Sequence, residues 1–373
     1  MNILVLGNPN KDLSSIIKED GHEIIEETAP IDLQYIKERK IDFVVSYGYR
    51  HIVRTDVLNY LKDRIINLHI SYLPWNKGAD PNLWSFLEDT PKGVTIHFMD
   101  EGIDTGDIIA QKELFFDCDH ATLATTYAQL QAEMISLFRK TWPLIDIRGG
   151  TIRRRQPAKG TCHRLSDKRY FMRLLARGWE TPVSEIIGKG VFYLREVRSD
   201  DREKIYRWRN SPDVAKYMYS DHQITEEEHH RWFGEIMKDQ HSRKYWIIVY
   251  DKEEIGLASI TDIDDTNKRG CYASYIVGHK LRGKGIGTMA EYYILRYFFE
   301  DLGFNKICAE VFSFNKAGID VHKSLGFREE GLYRQHRLKN GQFMDVVSLA
   351  MLKSEWDEKK PQIEKKLKAR GIL

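Results

Sequence analysis

Residues 2–46 read NILVLGNPNKDLSSIIKEDGHEIIEETAPIDLQYIKERKIDFVVS, and this stretch decides the fold of the first half of the chain. Ile3–Leu6, Glu23–Ile25 and Ile41–Ser46 are short apolar runs of strand length. Leu13–Lys18 and Leu33–Glu38 carry apolar residues at helical spacing. Strands alternating with helices predict an α/β sheet of largely parallel order. Working outward, further strands are expected at Arg64–His69 and Val94–Met99, and a helix around Thr122–Ile145. The turn after the first strand, Gly7-Asn8-Pro9-Asn10, lacks the glycine spacing of a dinucleotide fingerprint, so an NAD enzyme loses its main support.

The pattern changes beyond residue 148. Gly149–Gly190 is punctuated by glycine, two prolines and basic residues, and reads as a connector that closes the first domain. Phe192–Val197 is an expected strand, followed by helical segments through Lys238. Tyr245–Tyr250 and Ile255–Asp262 flank an acidic turn, and Arg269–Val277 feeds a glycine-rich turn and the helix Thr288–Asp301. A chain of 373 residues accommodates two domains, expected here at 1–188 and 189–373. The charged tail Lys359–Arg370 reads as a solvated helix.

Charge narrows the partners. The 57 basic and 55 acidic side chains leave a formal net charge of +2, which gives no footprint for nucleic acid or an anionic membrane. Cys118, Cys162, Cys271 and Cys308 form no C-x-x-C pair, so a disulfide framework and a zinc ribbon are unsupported and no metal is expected. The start Met-Asn-Ile-Leu-Val-Leu-Gly reads as a strand rather than a signal peptide, and no run reaches the length of a membrane span. A cytoplasmic location is expected. The sequence leaves the oligomeric state open, and a homodimer is compatible with it.

Asn67 and His69 stand two apart in Ile65-Ile66-Asn67-Leu68-His69, so both project from the same side of the expected strand. Asp104 follows another strand in a loop running from Met99 to Asp107. Strand ends on one edge of an α/β sheet are where ligand crevices form. An amide can hold a developing oxyanion, an imidazole can take a proton from an amine, and a carboxylate can orient the imidazole, which together suit acyl transfer. The same residue types at strand ends also serve simply to satisfy backbone groups. His97 alternates with apolar residues within a strand and is expected to be structural.

Three segments in order resemble the formyltransferases that use 10-formyltetrahydrofolate: Asn67-Leu68-His69-Ile70-Ser71-Tyr72-Leu73-Pro74, Gly93-Val94-Thr95-Ile96-His97, and Ile103-Asp104-Thr105-Gly106-Asp107-Ile108-Ile109. The likeness runs to about Gly188, through Gly160–Arg164 and Gly178–Pro182. Leu73–Asn82 resembles the branch that formylates amines on nucleotide-linked sugars. The resemblance implies a Rossmann-like domain in which Asn67 supports the formyl oxyanion, His69 serves as base or as electrostatic partner, and Asp104 sets the His69 tautomer. Trp75 and Asn82 are the sugar-side candidates.

The second constellation is Arg282-Gly283-Lys284-Gly285-Ile286-Gly287, which joins a strand to a helix. Glycines let the backbone approach a ligand closely, and free N–H groups at a helix start attract phosphate oxygens. A Walker A loop is excluded because Gly285 stands where a Ser or Thr belongs. Together with Val311–Phe327, the turn resembles the GNAT N-acetyltransferases over about Phe192–Glu358. That resemblance implies a mixed-sheet α/β domain whose residues Arg282, Gly283, Lys284, Gly285 and Gly287 hold the acetyl-CoA pyrophosphate, with Asn315 on the CoA arm. Many members of the family place a tyrosine acid where this chain has His322, the candidate second-site acid. Trp208–Val214 resembles acetyltransferases of the pseudaminic acid pathway that act on a 4-amino nucleotide sugar.

The expected enzyme moves a formyl group to the 4-amine of a UDP-4-amino-4,6-dideoxy sugar such as UDP-4-amino-4,6-dideoxy-N-acetyl-L-altrosamine. The second domain acetylates the same class of substrate. The alternative keeps formyl transfer but assigns a dTDP-4-amino-hexose, with the second domain a non-catalytic binding or assembly module.

Overall fold

The computed structural model describes residues 1–145, 151–278 and 283–369. They divide into two compact units, Met1–Val191 and Phe192–Leu373. Among the described residues, no helix is long and apolar enough to cross a membrane.

The first unit runs β1 (Asn2–Leu6), α1 (Lys11–Glu19), β2 (Glu23–Glu27), α2 (Leu33–Glu38), β3 (Phe43–Tyr47), α3 (Thr55–Tyr60), β4 (Ile65–His69), β5 (Lys77–Gly78), α4 (Pro81–Leu87), β6 (Lys92–Phe98), β7 (Ile108–Leu114), α5 (Leu123–Thr141) and β8 (Cys162–His163). Local chemistry starts the helices. Asn10 and Asp32 accept from the backbone N–H groups of Leu13 and Tyr35, capping α1 and α2. Among the described residues six strands form a sheet in the order β2-β1-β3-β4-β6-β7. The pairs among β1, β2, β3 and β4 are parallel, as the alternation of strands and helices predicts, whereas β4–β6 and β6–β7 are antiparallel.

Period-two alternation builds a core on each face of this sheet. Ile3, Val5, Phe43, Val45, Ile66 and Leu68 pack against Leu13, Ile16 and Ile17 of α1 and Leu130, Met134 and Phe138 of α5. Leu4, Leu6, Val44 and Ile65 pack on the other side against Ile36 of α2 and Val57 and Leu58 of α3. Asn67 and His69 alternate with Ile66 and Leu68, so they fall on the Ile65 face of β4.

The second unit runs β9 (Phe192–Glu196), α6 (Arg202–Arg209), α7 (Pro212–Ala215), α8 (Glu226–Lys238), β10 (Lys244–Tyr250), β11 (Glu253–Asp264), β12 (Arg269–Ile276), α9 (Ile286–Arg296), β13 (Lys306–Phe312), α10 (Lys316–Ser324), β14 (Arg328–Lys339), β15 (Gln342–Leu352) and α11 (Lys353–Ala369). Its sheet has the order β14-β15-β13-β12-β11-β10-β9 and is antiparallel except at β12–β13. Those two parallel strands pair only from Arg269↔Lys306 to Cys271↔Cys308, and the pairing ends there while both strands continue.

The β14–β15 hairpin is absent from the sequence-based expectation. Almost every residue of β14 is exposed, so no apolar alternation marks it. The missed signal is Asn340-Gly341, whose φ angles of 51° and 74° form the tight turn that an Asn-Gly pair favours.

Candidate functional site

Asn67, His69 and Asp104 meet. Asn67 Nδ2 donates to Asp104 Oδ1 at 3.0 Å, and His69 Nδ1 lies 3.5 Å from Asp104 Oδ2. The Gly78 N–H also donates to Oδ2, at 2.8 Å. Gly78 has φ +85°, and a Cβ there would stand 2.3 Å from the His163 carbonyl oxygen, so only glycine fits the bend that delivers this N–H. Asp104 is itself left-handed, with φ +51°. Its loop is held by Gln156, whose Nε2 donates to the carbonyls of Asp104 and Gly106 at 2.9 and 2.7 Å. The segment read as a closing connector thus supplies a clamp on the site.

The electrostatics follow from burial. For Asp104, burial acts to raise the pKa, but the nearby His69 and His97 rings and the Gly78 N–H outweigh it and hold the carboxyl well below the usual range. For His69, burial lowers the pKa more than the Asp104 charge raises it, which favours the neutral ring.

Two features correct the sequence reading. Asp104 was expected to set the His69 tautomer, yet His69 Nε2 lies 3.1 Å from the Asn76 carbonyl oxygen. Both neighbours of the ring only accept; the closer one, the Asn76 carbonyl, takes the Nε2 proton of the neutral ring, and Nδ1 is left facing Asp104. Asn76 is fully buried and fixed by Thr161 and Thr90, which makes the carbonyl a rigid partner. Asn82, expected to face the sugar, is 1% exposed; its Nδ2 donates to Leu123 O, and its Oδ1 accepts from Thr126. It ties α4 to α5 and has no end left for a ligand. Trp75 is half-buried.

His97, read as structural, stands inside the cluster. Its Nε2 lies 3.4 Å from both Asn67 Nδ2 and Asp104 Oδ1, and its Nδ1 lies 2.7 Å from the Phe98 carbonyl oxygen. The β4–β6 register sets His97 directly opposite Asn67, on the same face. The signal was the strand pairing, which the sequence does not display.

In the second unit, Gly285 caps α9 with φ +76°, and Gly283 has φ +79°, so the turn before this helix is a left-handed backbone suited to glycine. Lys284 is exposed and Gly287 half-buried, while Arg282 lies outside the described residues. Asn315 caps α10 through a bond from the Gly318 N–H, so its Oδ1 is engaged. A Cβ at residue 318 would stand 2.6 Å from Asn315 Nδ2, which explains the glycine. His322, on α10, is 8% exposed, and its Nδ1 meets Glu291 Oε1 of α9 at 2.5 Å. Glu291 was not anticipated; within Thr288–Asp301 it reads as one more charged helix residue.

Fold and sites together define a fusion of two acyl-group transferases. The formyl transferase family model matches residues 11–140, and the GNAT acetyltransferase domain model matches residues 192–328. The chain belongs to both families, one through each half. It is 31% identical over 133 residues to the acetyltransferase PseH of Campylobacter jejuni, covering 35% of this chain and 80% of that protein. It is 31% identical over 134 residues to a methionyl-tRNA formyltransferase of Syntrophomonas wolfei, covering 35% of this chain and 43% of that one. The chain therefore spans less than half the length of that formyltransferase. Among solved structures, the formyltransferase PseJ of Anoxybacillus kamchatkensis, held in complex with UDP-4,6-dideoxy-4-formamido-L-AltNAc and tetrahydrofolate, is 47% identical. That match covers 51% of this chain and all of PseJ, with a TM-score of 0.49.

Proposed function

We propose that the first half transfers a formyl group to the 4-amine of UDP-4-amino-4,6-dideoxy-N-acetyl-L-altrosamine. The second half acetylates the same class of 4-amino nucleotide sugar. The observation that carries the first activity is the convergence of Asn67 and His69 on one Asp104 carboxylate, at 3.0 and 3.5 Å. An amide, an imidazole and a carboxylate form a donor set suited to acyl transfer to an amine. When bound, 10-formyltetrahydrofolate supplies the formyl group.

Asn67 Nδ2 supports the negative charge that develops on the formyl oxygen, exchanging its long contact with His97 for that oxygen. His69 Nδ1 accepts the proton released by the attacking amine, and Asp104 stabilises the imidazolium so formed. The Asn76 carbonyl keeps the ring oriented throughout. The proton held by His69 then returns to the nitrogen that gives up the formyl group. Trp75, half-buried beside this cluster in sequence, is the remaining sugar-side residue.

In the second half, Gly283, Lys284, Gly285 and Gly287 bind the pyrophosphate of acetyl-CoA through backbone N–H groups at the start of α9, joined by Arg282. Asn315 approaches the CoA arm and His322 is the acid toward the departing thiolate. Cytoplasmic supply of reduced folate and CoA suits both donors. The choice of sugar rests on the Leu73–Asn82 and Trp208–Val214 motifs.

Product mass tests the whole reading. The full chain is incubated with UDP- and dTDP-linked 4-amino sugars and either donor. A formyl adduct on the UDP-altrosamine substrate with the folate donor, and an acetyl adduct with acetyl-CoA, are expected. Formylation of only a dTDP-4-amino-hexose would replace the sugar assignment. Loss of all acetyl product would reduce the second half to a binding module.

A further inference from the structure

The mechanism above leaves unexplained Glu291, which makes a buried contact with His322 in the second unit. Glu291, at mid-helix in α9, is 1% exposed, and His322, in α10, is 8% exposed. Their contact, His322 Nδ1 to Glu291 Oε1, is 2.5 Å long. A buried carboxylate–imidazole pair is poor stabilising material, because desolvating both groups offsets much of their attraction, and apolar residues of similar size usually hold two helices together as well. The location supplies a reason for it. The His322 ring meets the edge of the Tyr272 ring at 5.9 Å, and Tyr272 is the first residue of β12 after its pairing with β13 ends at Cys271↔Cys308. The couple therefore borders the point where the two parallel strands part, and α9, which carries Glu291, is the helix that opens at Gly285.

We infer that Glu291 and His322 form a proton-donating dyad for acetyl transfer, in which Glu291 is the positioning residue and His322 Nε2 delivers the proton. This rests on the acetyltransferase reading of the second half. With Nδ1–H held by the carboxylate, only Nε2 is left to face a reacting group. As the substrate amine nitrogen bonds to the acetyl carbon, the carbon–sulfur bond breaks and its electron pair goes to sulfur. His322 Nε2–H protonates that sulfur, the amine releases one proton to solvent, and the neutral ring regains a proton from solvent.

The groups facing the ring from the neighbouring elements are few. Glu291 comes from α9. Tyr272 comes from β12, and its hydroxyl donates to Ser274 Oγ at 2.8 Å. Burial raises the Tyr272 phenol well above its ordinary pKa, with the Glu291 charge adding to the shift, so that it stays neutral. Phe327 adds an apolar ring at 5.2 Å. Glu291 is thus the charged partner of this imidazole among those contacts.

The test measures kcat and KM for acetyl-CoA in the full chain and in three variants, with thermal unfolding as the check on folding. His322→Gln should lower kcat about 100-fold, as expected for loss of a general acid, with KM for acetyl-CoA nearly unchanged. Glu291→Gln keeps size and hydrogen-bonding capacity but removes the charge, and should lower kcat about tenfold with KM for acetyl-CoA and the unfolding temperature nearly unchanged. His322→Tyr, which restores a proton donor at that position, should recover part of the lost rate. A His322→Gln or a Glu291→Gln variant at wild-type kcat overturns the dyad while leaving acetyl transfer standing. A wild-type chain that forms no acetyl product overturns the acetyltransferase reading and the dyad with it.

Discussion

His97 Nε2 lies 3.4 Å from Asp104 Oδ1, the oxygen opposite the one that faces His69. One carboxylate therefore sits between two imidazoles, and the Asn67 amide donates to the His97 side of it. Because His97 Nδ1 is committed to the Phe98 carbonyl, its Nε2 remains an acceptor for Asn67 in the neutral ring. His97→Phe preserves bulk in this 1%-exposed position and leaves the amide its bond to Asp104, but removes the contact that orients Nδ2 before the formyl oxygen takes its place. Losing one orienting hydrogen bond, worth about 1 kcal/mol, should slow single-turnover formyl transfer roughly five- to tenfold.

The central residues should cost far more. Asn67→Ala, His69→Asn and Asp104→Ala are each expected to reduce formyl transfer by about 10²–10⁴-fold, with circular dichroism and acetyl transfer unchanged. Near-normal formyl turnover by folded His69→Asn would remove the base from the mechanism.

The pH response follows from His69. Burial lowers its pKa in the fold, and the Asp104 charge only partly restores it. The unfolded chain, with an ordinary histidine pKa of about 6.5, takes up this proton first as pH falls. The contribution of the neutral ring to stability is thus present above that value and is lost as pH drops through it. An NMR titration should place the His69 midpoint below 6.5, and Asp104→Asn should lower it further.

Gly78→Ala tests the backbone donor. The new Cβ would stand 2.3 Å from the His163 carbonyl at a φ of +85°, so the β5 strand must shift and withdraw its N–H from Asp104. A loss of about 1–3 kcal/mol in unfolding free energy is expected, together with a larger fall in formyl than in acetyl transfer.

In the second unit, Arg195 makes paired bonds to Asp201 at 2.6 and 2.8 Å, with both side chains almost fully buried, and also contacts Glu254. Asp201→Ala leaves the guanidinium with the half-exposed Glu254 and the Glu196 carbonyl. Removing one partner of a buried pair costs about 3–5 kcal/mol, which denaturant unfolding of the full chain should register. Formyl transfer should survive at denaturant concentrations that abolish acetyl transfer.

Much of the molecule was legible in the linear chain because its signals are local. The short apolar runs Ile3–Leu6 and Ile41–Ser46 exposed the strands, since a strand buried on both faces carries apolar residues throughout. Asn67 and His69 were readable as a pair from their spacing. Gly283 and Gly285 were readable because left-handed turns favour glycine. Failures came where the answer is a contact. Asn82 looked like a polar residue free for a ligand, but the α4–α5 packing closes over it. His97, read as structural and indeed buried, also stands against Asn67 through the antiparallel β4–β6 register, a contact the sequence does not display. The β14–β15 hairpin escaped because an exposed edge strand has no buried face to impose alternation.

The amino-acid sequence by itself determined the α/β class of both halves, the residue types of two candidate sites and the families that the halves match. These depend on backbone preference, periodicity and short motifs, all of which act over a few neighbouring residues. Only the tertiary structure decided which carbonyl fixes the His69 tautomer, that Asp104 serves two histidines, and that Glu291 stands behind His322. Each of those facts joins residues distant in the chain, and at His69 burial then favours the neutral ring through desolvation.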